Sequence, residues 1–395
     1  MLNTNTPHIA KQFLTSIFLK FFFLLSILFF FSAEITKSQN YGFFSYNDEQ
    51  GLTSNLVKTI TQDSAGFIWI GTDAGLVLYD GKSFTTISEE IPSSYIKALY
   101  NSSNNRVVVA SDFGVGYLNR KQHGYQYEPI LKGTTTASDT ALTYPKSIFE
   151  ASDGSFWISD INGVIQIKNG IYKKYKFDST YASDSYFRSF VFVEDEMNNL
   201  IVSSWTGSLF RFDRAKDKFI KLQYKATLPN SFINHISLYG TRRILVATNF
   251  GIEEVHYSKD FKSITSKLLL SLAEVSTFLK TPEGNYLIGT WNSGLFSWNP
   301  KTKLLVRIAE VSSGTINKIF KDRENGIWIC SDDGIVLMKK NIFTQAQFRA
   351  DLSSVGSIYI RNLIADESGN IYFSDQENIY KVIYQNGNII YELIH

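Results

Sequence analysis

The sequence has few of the residues that build disulfide or metal frameworks. Its 395 residues include one cysteine, Cys330, which cannot form an intramolecular disulfide. Because Cys330 lies inside a strand-like apolar stretch, we expect it to pack as a small buried residue. His235 and His256 have no second ligand at metal spacing, so the sequence predicts no metal site and no cofactor.

Charge of one sign is not in excess. The chain carries 39 basic and 37 acidic residues, for a formal net charge of +2. No basic stretch is interleaved with stacking aromatic residues, so we expect no nucleic-acid partner. Aromatic residues make up 15% of the chain, glycine occurs 25 times and proline only 7 times. This composition favours an ordered β-protein with a large core over a disordered chain.

Long hydrophobic runs are also scarce. The run from Phe21 to Phe31 reads FFFLLSILFFF and follows Lys11 and Lys20. It is too short for a membrane-spanning helix, which needs about 20 apolar residues. The pattern predicts a secretory signal peptide over residues 1–38, cleaved before Gln39, and therefore an exported chain with no membrane span after cleavage.

One short motif invites a nucleotide-binding interpretation. Gly81-Lys-Ser83 resembles the end of a P-loop, but five residues separate Gly75 from Gly81 where a P-loop has four. The following segment, Phe84-Thr-Thr-Ile87, is aromatic and β-branched, which is typical of a strand and not of a phosphate-binding helix N-terminus. We therefore interpret the segment as a hairpin turn.

What the sequence does contain is a repeat. A glycine closes a turn at Gly75 (WIGTDAG), Gly114 (VVASDFG), Gly163 (WISDING), Gly207 (IVSSWTG), Gly251 (LVATNFG), Gly294 (LIGTWNSG) and Gly334 (WICSDDG). An eighth unit, IYFSDQEN, has Asn378 at this position, and asparagine tolerates positive φ. The mean spacing of about 43 residues falls within the range of propeller blades.

The repeat predicts an all-β fold, a β-propeller of four-stranded blades. Consecutive apolar residues such as Phe67-Ile-Trp-Ile70 indicate sheets that are covered on both faces by their neighbours. We expect a seven-bladed ring over residues 41–348, with residues 349–395 as an eighth repeat that starts a second propeller or closes the ring. An eight-bladed ring is the alternative. The early strand Tyr41–Tyr46 is a candidate for the strand that closes the last blade.

The first unit resembles the two-component regulator propeller repeat. The resemblance lies in Gly51-Leu-Thr-Ser-Asn55, Ile60-Thr-Gln-Asp63, Gly66-Phe-Ile-Trp-Ile-Gly-Thr72, Gly75-Leu76 and Tyr79-Asp-Gly81, and it returns in Asp322-Arg-Glu-Asn-Gly-Ile-Trp-Ile329. It implies the periplasmic sensor region of a hybrid two-component histidine kinase of Bacteroidetes-type bacteria. Since this chain stops at His395 without a kinase pattern, we expect the front end of such a sensor, truncated before the kinase.

The turns between the second and third strands should emerge on one face of the ring. They contain alternating aromatic, carboxylate and amide side chains, which suit a sugar because its C–H faces pack on rings while its hydroxyls need directional partners. The candidate ligand-binding residues are Asp73, Phe113, Trp205, Asn249, Phe250, Trp291, Asn292, Asp332 and Asp333. Each of these residue types also serves simply as a turn former or as a plug between blades. The resemblance, with its association with glycan sensing, points to an oligosaccharide or other small ligand, and to self-association as in sensor dimers.

Two other functional classes remain open at this stage. Asp63-x-x-Gly66-x-x-Trp69 resembles the structural Asp-box turn of propeller glycosidases, and Asp332 and Asp333 are candidate acids. Glycoside hydrolysis needs converging acids or a tyrosine with an arginine cluster, and no arginine recurs at the central strands. We therefore expect a non-catalytic protein, with a propeller glycoside hydrolase or lyase and a protein-binding scaffold as the alternatives.

Overall fold

The computed structural model describes residues 41–394 except 88–89, 123, 135–140, 179–189, 341–360, 367–369, 376–377 and 386–387. The chain divides into two compact units, Met1–Lys340 and Asn341–His395. The predicted signal peptide over 1–38 and the predicted domain boundary at 348/349 both lie outside the described residues. The described residues include no helix long and apolar enough to cross a membrane.

The first unit contains seven four-stranded sheets, which we call blades 1 to 7. In chain order, blades 1 to 4 consist of β2 (Val57–Gln62), β3 (Ile68–Thr72), β4 (Leu76–Tyr79) and β5 (Phe84–Ile87); β6 (Ile96–Asn101), β7 (Val107–Ser111), β8 (Gly114–Arg120) and β9 (Tyr125–Lys132); β10 (Ile148–Glu150), β11 (Phe156–Asp160), β12 (Gly163–Lys168) and β13 (Ile171–Lys176); β14 (Val191–Glu194), β15 (Leu200–Ser203), β16 (Leu209–Asp213) and β17 (Lys218–Lys221).

Blades 5 to 7 continue the same order. They consist of β18 (Ile233–Gly240), β19 (Arg243–Thr248), β20 (Gly251–Tyr257) and β21 (Ile264–Ser271); β22 (Val275–Lys280), β23 (Tyr286–Thr290), β24 (Leu295–Trp298) and β25 (Leu305–Arg307); β26 (Ile316–Lys321), β27 (Ile327–Ser331) and β28 (Gly334–Lys340) with β1 (Tyr41–Tyr46). A short 3-10 helix, Asp48–Gln50, follows β1.

The ring of the first unit is closed by its N-terminal strand. β1 pairs antiparallel with β28, from Tyr41 opposite Lys340 to Tyr46 opposite Ile335, and so supplies the outer strand of blade 7. This arrangement confirms the closing strand predicted from the sequence. Because the seventh blade is completed in this way, the seven-bladed ring is confirmed and the eight-bladed alternative is not what the structure shows.

The second unit contains one further four-stranded sheet, as predicted for the eighth repeat. Its strands are β29 (Asn362–Ala365), β30 (Ile371–Ser374), β31 (Ile379–Gln385) and β32 (Asn388–Leu393), paired in that order. Asp366 accepts hydrogen bonds from the backbone N–H of Asn370 (2.8 Å) and the hydroxyl of Tyr372 (3.1 Å), which fixes the turn between β29 and β30.

A carboxylate also fixes the first turn of several blades in the ring. Asp63 Oδ1 accepts from the backbone N–H of Phe67 (3.0 Å), and its Oδ2 accepts from Nε1 of the buried Trp69 (2.9 Å). Asp322 makes the same pair of bonds to the backbone of Gly326 (2.6 Å) and to Nε1 of Trp328 (2.8 Å). The Asp-box-like pattern in the sequence therefore has a structural role, because its carboxylate is hydrogen-bonded both to the turn and to the indole of the next strand.

Small residues in the second strands let neighbouring blades approach. A Cβ on Gly71 would lie 2.6 Å from Cγ2 of both Thr59 and Ile96, so this position of blade 1 has no room for a side chain. Cys330, the fully buried thiol, lies in the corresponding strand of blade 7 opposite Lys318. The prediction that this cysteine packs as a small buried residue is confirmed.

The inner strands of the blades line the centre of the ring, and five of them carry a β-bulge at the second residue. The bulges lie at Lys58, Lys97, Asn234, Ser276 and Asn317. In three blades the bulge side chain donates a hydrogen bond to a carbonyl of the next blade: Asn234 Nδ2 to Val275 (2.7 Å), Ser276 Oγ to Ile316 (2.6 Å) and Asn317 Nδ2 to Val57 (2.9 Å). These bonds join the blades around the centre of the ring.

Blades 1 to 6 are antiparallel meanders, and blade 7 has the same arrangement with β1 as its outer strand, so equivalent turns lie on the same side of the ring. We call the side formed by the turns between first and second strands the turn-1 edge. The opposite side, formed by the turns between second and third strands, is the turn-2 edge.

Candidate ligand-binding edge

The predicted ligand-binding residues occupy equivalent turns on the turn-2 edge. They follow the second strand of six blades and comprise Asp73, Phe113, Trp205, Asn249, Phe250, Trp291, Asn292, Asp332 and Asp333. The structure therefore places them on one side of the ring, spread over blades 1, 2, 4, 5, 6 and 7. Their role in binding stays a prediction.

Part of this set converges near Tyr95, which lies in the connection that precedes β6. Burial raises the pKa of Tyr95, and the negative charges of Asp73, Asp112 and Asp332 raise it further. The three carboxylates belong to the second turns of blades 1, 2 and 7. Blades 7, 1 and 2 thus bring three acidic side chains around one phenol at the mouth of the central channel.

Two lysines from the inner strands balance this acidic group. Lys97 Nζ lies 3.1 Å from Asp112 Oδ1 and 3.5 Å from the centre of the Tyr95 ring. It also lies 5.2 Å from the centre of the Tyr144 ring, so the ammonium is placed between two aromatic faces. Burial lowers the pKa of Lys97, while the charge of Asp112 acts in the opposite direction.

The second lysine, Lys58, donates from Nζ to Asp332 Oδ1 at 3.3 Å. Asn317 Nδ2 donates to the same oxygen at 2.8 Å, so Asp332 is held by two donors from blades 1 and 7. In contrast, the buried Oδ1 of Asp73 has no hydrogen-bond partner among the described residues. Asp73 is therefore an available acceptor beside a cluster whose other charges are already paired.

The aromatic residues of the set are arranged differently. Trp205 stacks on Phe232, with the ring centres 4.0 Å apart and the planes 13° from parallel. Asn249 Oδ1 accepts from the backbone N–H of Phe232 at 2.8 Å, which fixes that partner. Phe232 thus covers one face of the Trp205 indole, as expected of a side chain that fills the junction between two blades. A role of Trp205 in ligand binding stays a prediction.

The remaining members lie further around the edge. Phe113 and Phe250 are 40% and 36% exposed, so each offers part of a ring to solvent. The backbone of Trp291 donates to the carbonyl of Glu274 (3.0 Å) and accepts from Thr315 Oγ1 (2.9 Å), which ties this turn to the connections on either side. Asn292 and Asp333 are exposed at the tips of their turns.

Sequence reasoning missed the inner-strand residues of the site. Lys58, Lys97 and Asn317 each stand second in an inner strand, directly after a fully buried apolar residue. A polar residue that recurs at this one position in otherwise apolar strands is the signal that could have identified them. Among the described residues, no group of three or more histidine, cysteine or acidic side chains could hold a metal ion.

Comparison with known proteins supports the resemblance drawn from the first repeat. Residues 51–74 match the family described as "Two component regulator propeller". No curated protein matches the chain.

Solved structures share the fold. The extracellular domain of BT4673 from B. thetaiotaomicron, described as a hybrid two component system, is 20% identical, with a TM-score of 0.58 over 89% of this chain and 47% of that one. The corresponding domain of BT3049 from the same organism is 18% identical, with a TM-score of 0.60 over 89% of this chain and 49% of that one. The chain thus spans about half the length of these sensor domains.

The fold also occurs in enzymes. Virginiamycin B lyase from Staphylococcus aureus is 16% identical, with a TM-score of 0.57 over 76% of this chain and 99% of the lyase. At these identities the similarities establish the propeller fold, and function has to be argued from the residues of this chain.

Proposed function

We propose that the ring is the ligand-binding part of a periplasmic sensor of the hybrid two-component type, and that it binds an oligosaccharide at the turn-2 edge without chemical turnover. The observation that carries the proposal is the cluster around Tyr95. There, two lysine–carboxylate ion pairs border the partly buried phenol of Tyr95 and the Oδ1 of Asp73, which has no hydrogen-bond partner among the described residues. The match of residues 51–74 and the sensor domains of similar fold support it.

The chemistry of this cluster suits a sugar. The ring of Tyr95 offers a face for C–H groups, and Asp73 offers an acceptor for a hydroxyl. The carboxylate of Asp332 is already bound by Lys58 and Asn317, so it is held as an acceptor and is not poised as a general acid. This arrangement supports binding without catalysis.

In a sensor, such binding would act by favouring one of two arrangements of the assembly, because a ligand shifts an equilibrium only through its differential affinity for the two states. The ring supplies the differential contacts, and the transmission of the signal would belong to other parts of the sensor.

A panel of neutral oligosaccharides tests the proposal. We expect at least one of them to raise the Tm of the full chain in a saturable manner, with no release of reducing ends or unsaturated products. Tyr95→Ala should weaken that ligand by about fivefold to tenfold, as expected for the loss of one ring contact. Tyr172→Ala, which removes an exposed tyrosine from the outer strand of blade 3, is the matched control and should leave the affinity unchanged.

Two results would contradict the proposal. Equal loss of affinity in the Tyr95 and Tyr172 variants would place binding away from the turn-2 edge. Turnover of any glycan that is lost with Asp332→Asn would assign the ring to the enzymes, the class that the lyases of similar fold represent.

A further inference from the structure

A pocket opens on the turn-1 edge of the ring. It has a volume of about 580 Å³ and lies between blades 7, 1 and 2. Its walls include Tyr100 and Asn101 from the end of β6, and Lys318 and Phe320 from β26. This volume is within the range of small-molecule sites.

Lys318 supplies a cation that has no carboxylate partner among the described residues. Its Nζ donates to Thr59 Oγ1 (3.3 Å) and to the carbonyl of Ile60 (3.1 Å), both of which are neutral. Burial lowers the pKa of Lys318, as expected of an ammonium without an opposing charge. The neighbouring Cys330 does not compensate it, because burial raises the pKa of that thiol to about 12.

The other charges around the pocket add to the positive potential. Lys321 and Arg323 also line it, and Asp322 is the one carboxylate among the lining residues. Both oxygens of Asp322 are occupied, by the backbone N–H of Gly326 and by Nε1 of Trp328. The Asp322 carboxylate thus binds groups of the first turn of blade 7 and makes no ion pair with Lys318.

Two carboxylates near the rim of the pocket also accept hydrogen bonds from neighbouring protein groups. Glu324 accepts from Gln62 Nε2 at 2.9 Å. Glu150, which lies near Tyr100, accepts from the backbone N–H and the hydroxyl of Ser103, both at 2.7 Å. The pocket is therefore bordered by the cations Lys318, Lys321 and Arg323, and by carboxylates that already accept hydrogen bonds from protein donors.

The pocket also contains an unpaired acceptor. The Oδ1 of Asn101 is buried and has no hydrogen-bond partner among the described residues. A buried amide oxygen without a donor costs free energy that a ligand hydroxyl can recover. Tyr100 and Phe320 add partly buried aromatic rings to the same walls.

We propose that this pocket binds a hydroxylated carboxylate of monosaccharide size, such as a hexuronate. The carboxylate of the ligand pairs with Lys318, a hydroxyl donates to Asn101 Oδ1, and the C–H face of the sugar ring packs against Tyr100 or Phe320. The site is distinct from the turn-2 edge and does not depend on the function proposed there.

Calorimetric titration of the full chain with sodium glucuronate, glucose and sodium acetate tests the proposal. We expect saturable binding of glucuronate that weakens with added salt, and at least tenfold weaker binding of glucose and acetate, which each lack one of the two recognised groups. Lys318→Met should lower the affinity for glucuronate at least tenfold. Lys280→Met, at the exposed end of the inner strand of blade 6, removes an equal charge outside the pocket and should have no effect.

A second variant separates binding from folding, because Lys318 also joins blades 7 and 1. Asn101→Asp adds a negative charge to the pocket that receives the anionic ligand, and it removes no hydrogen bond because Asn101 Oδ1 has no partner among the described residues. It should abolish glucuronate binding while the Tm of the free protein stays within a few degrees of wild type. The proposal is overturned by an absence of saturable glucuronate binding to the wild-type chain, or by wild-type affinity for glucuronate in the Lys318 and Asn101 variants. An equal loss in Lys280→Met also overturns it. Binding of neutral oligosaccharides at the turn-2 edge should be insensitive to all three variants.

Discussion

The carboxylate of Asp322 should be among the most important polar groups for the stability of the ring. It is 5% exposed and accepts hydrogen bonds from the backbone N–H of Gly326 (2.6 Å) and from Nε1 of the buried Trp328 (2.8 Å). In Asp322→Ala both donors lose their acceptor inside the protein. An unsatisfied buried donor costs about 1–3 kcal/mol, so we expect the free energy of unfolding to fall by about 2–5 kcal/mol.

Thermal and urea unfolding of the full chain measure this loss. At about 2 °C per kcal/mol for a domain of this size, the Tm should fall by about 4–10 °C. Asp322→Asn keeps one acceptor oxygen and should lie between the alanine variant and wild type. Asp333→Ala, an exposed residue in the second turn of the same blade, is the matched control and should stay within about 0.5 kcal/mol of wild type.

A double-mutant cycle with Trp328→Phe isolates the bond to the indole. Phenylalanine removes the Nε1 donor and keeps most of the aromatic packing, so Asp322→Ala should cost less in this background than in wild type. A wild-type Tm and a wild-type urea midpoint in Asp322→Ala would refute the argument. The same conclusion would follow if the effects of Asp322→Ala and Trp328→Phe on the free energy of unfolding were simply additive while Asp333→Ala kept wild-type stability.

Three further outcomes are expected from the packing and the charges. Gly71→Val should lower the free energy of unfolding by about 1–3 kcal/mol in urea titration, because its Cβ would lie 2.6 Å from Ile96 Cγ2; wild-type stability would contradict the close blade contact. Burial raises the pKa of Asp153, but hydrogen bonds led by that of Lys168 outweigh it and hold the pKa well below the ordinary value. Its stabilising effect is therefore present at neutral pH and is lost as the pH falls below about 4, so Asp153→Asn should unfold with a flatter pH dependence between pH 4 and 2. Cys330, whose pKa burial raises to about 12, should not react with a thiol reagent at pH 8 until the ring unfolds, and rapid labelling of the native chain would be inconsistent with this.

The repeat made most of the fold predictable. The spacing of the turn-closing glycines and the doubly apolar strands define sheets that need a neighbour on each face, and Tyr41–Tyr46 is the strand left without a hairpin partner in its own repeat. Both features depend on local sequence, where turn chemistry and hydrophobic pattern act directly. The propeller architecture and the candidate closing strand follow from them, whereas the choice between seven and eight blades depends on the pairing of β1 with β28.

The candidate sites were less predictable, because they depend on register. A bulge between Val57 and Thr59, and another between Ile96 and Ala98, displaces one residue of the inner strand from the pairing pattern. Simple alternation along a strand cannot tell on which side such a residue will lie. Lys97 pairs with Asp112 of its own blade, whereas Lys58 pairs with Asp332 of the seventh repeat, a contact that forms only when the ring is closed.

The junction between blades 7 and 1, like the junction between blades 3 and 4, combines an aromatic cluster with polar bonds; Trp328 of blade 7 and Tyr79 of blade 1 have ring centres 5.6 Å apart. Blades 3 and 4 share an aromatic cluster, in which Trp157 and Phe212 have ring centres 4.8 Å apart. At the closing junction, the guanidinium of Arg323 donates to the carbonyls of Asp63 and Ser64, in addition to the bonds made by Lys318. Directional bonds of this kind are satisfied in a single register, whereas apolar packing tolerates small displacements.

The polar bonds of the closing junction matter because blades 7 and 1 are joined only after the chain has closed a loop of more than two hundred residues. The entropy of closing that loop opposes the pairing of the chain ends, and the polar bonds of the junction help to offset it once the register is correct. Both candidate sites, the cluster around Tyr95 and the pocket beside Lys318, are built from blades 7, 1 and 2. A ligand held at either site contacts both sides of the closing junction, so its binding free energy adds to the stability of the closed ring.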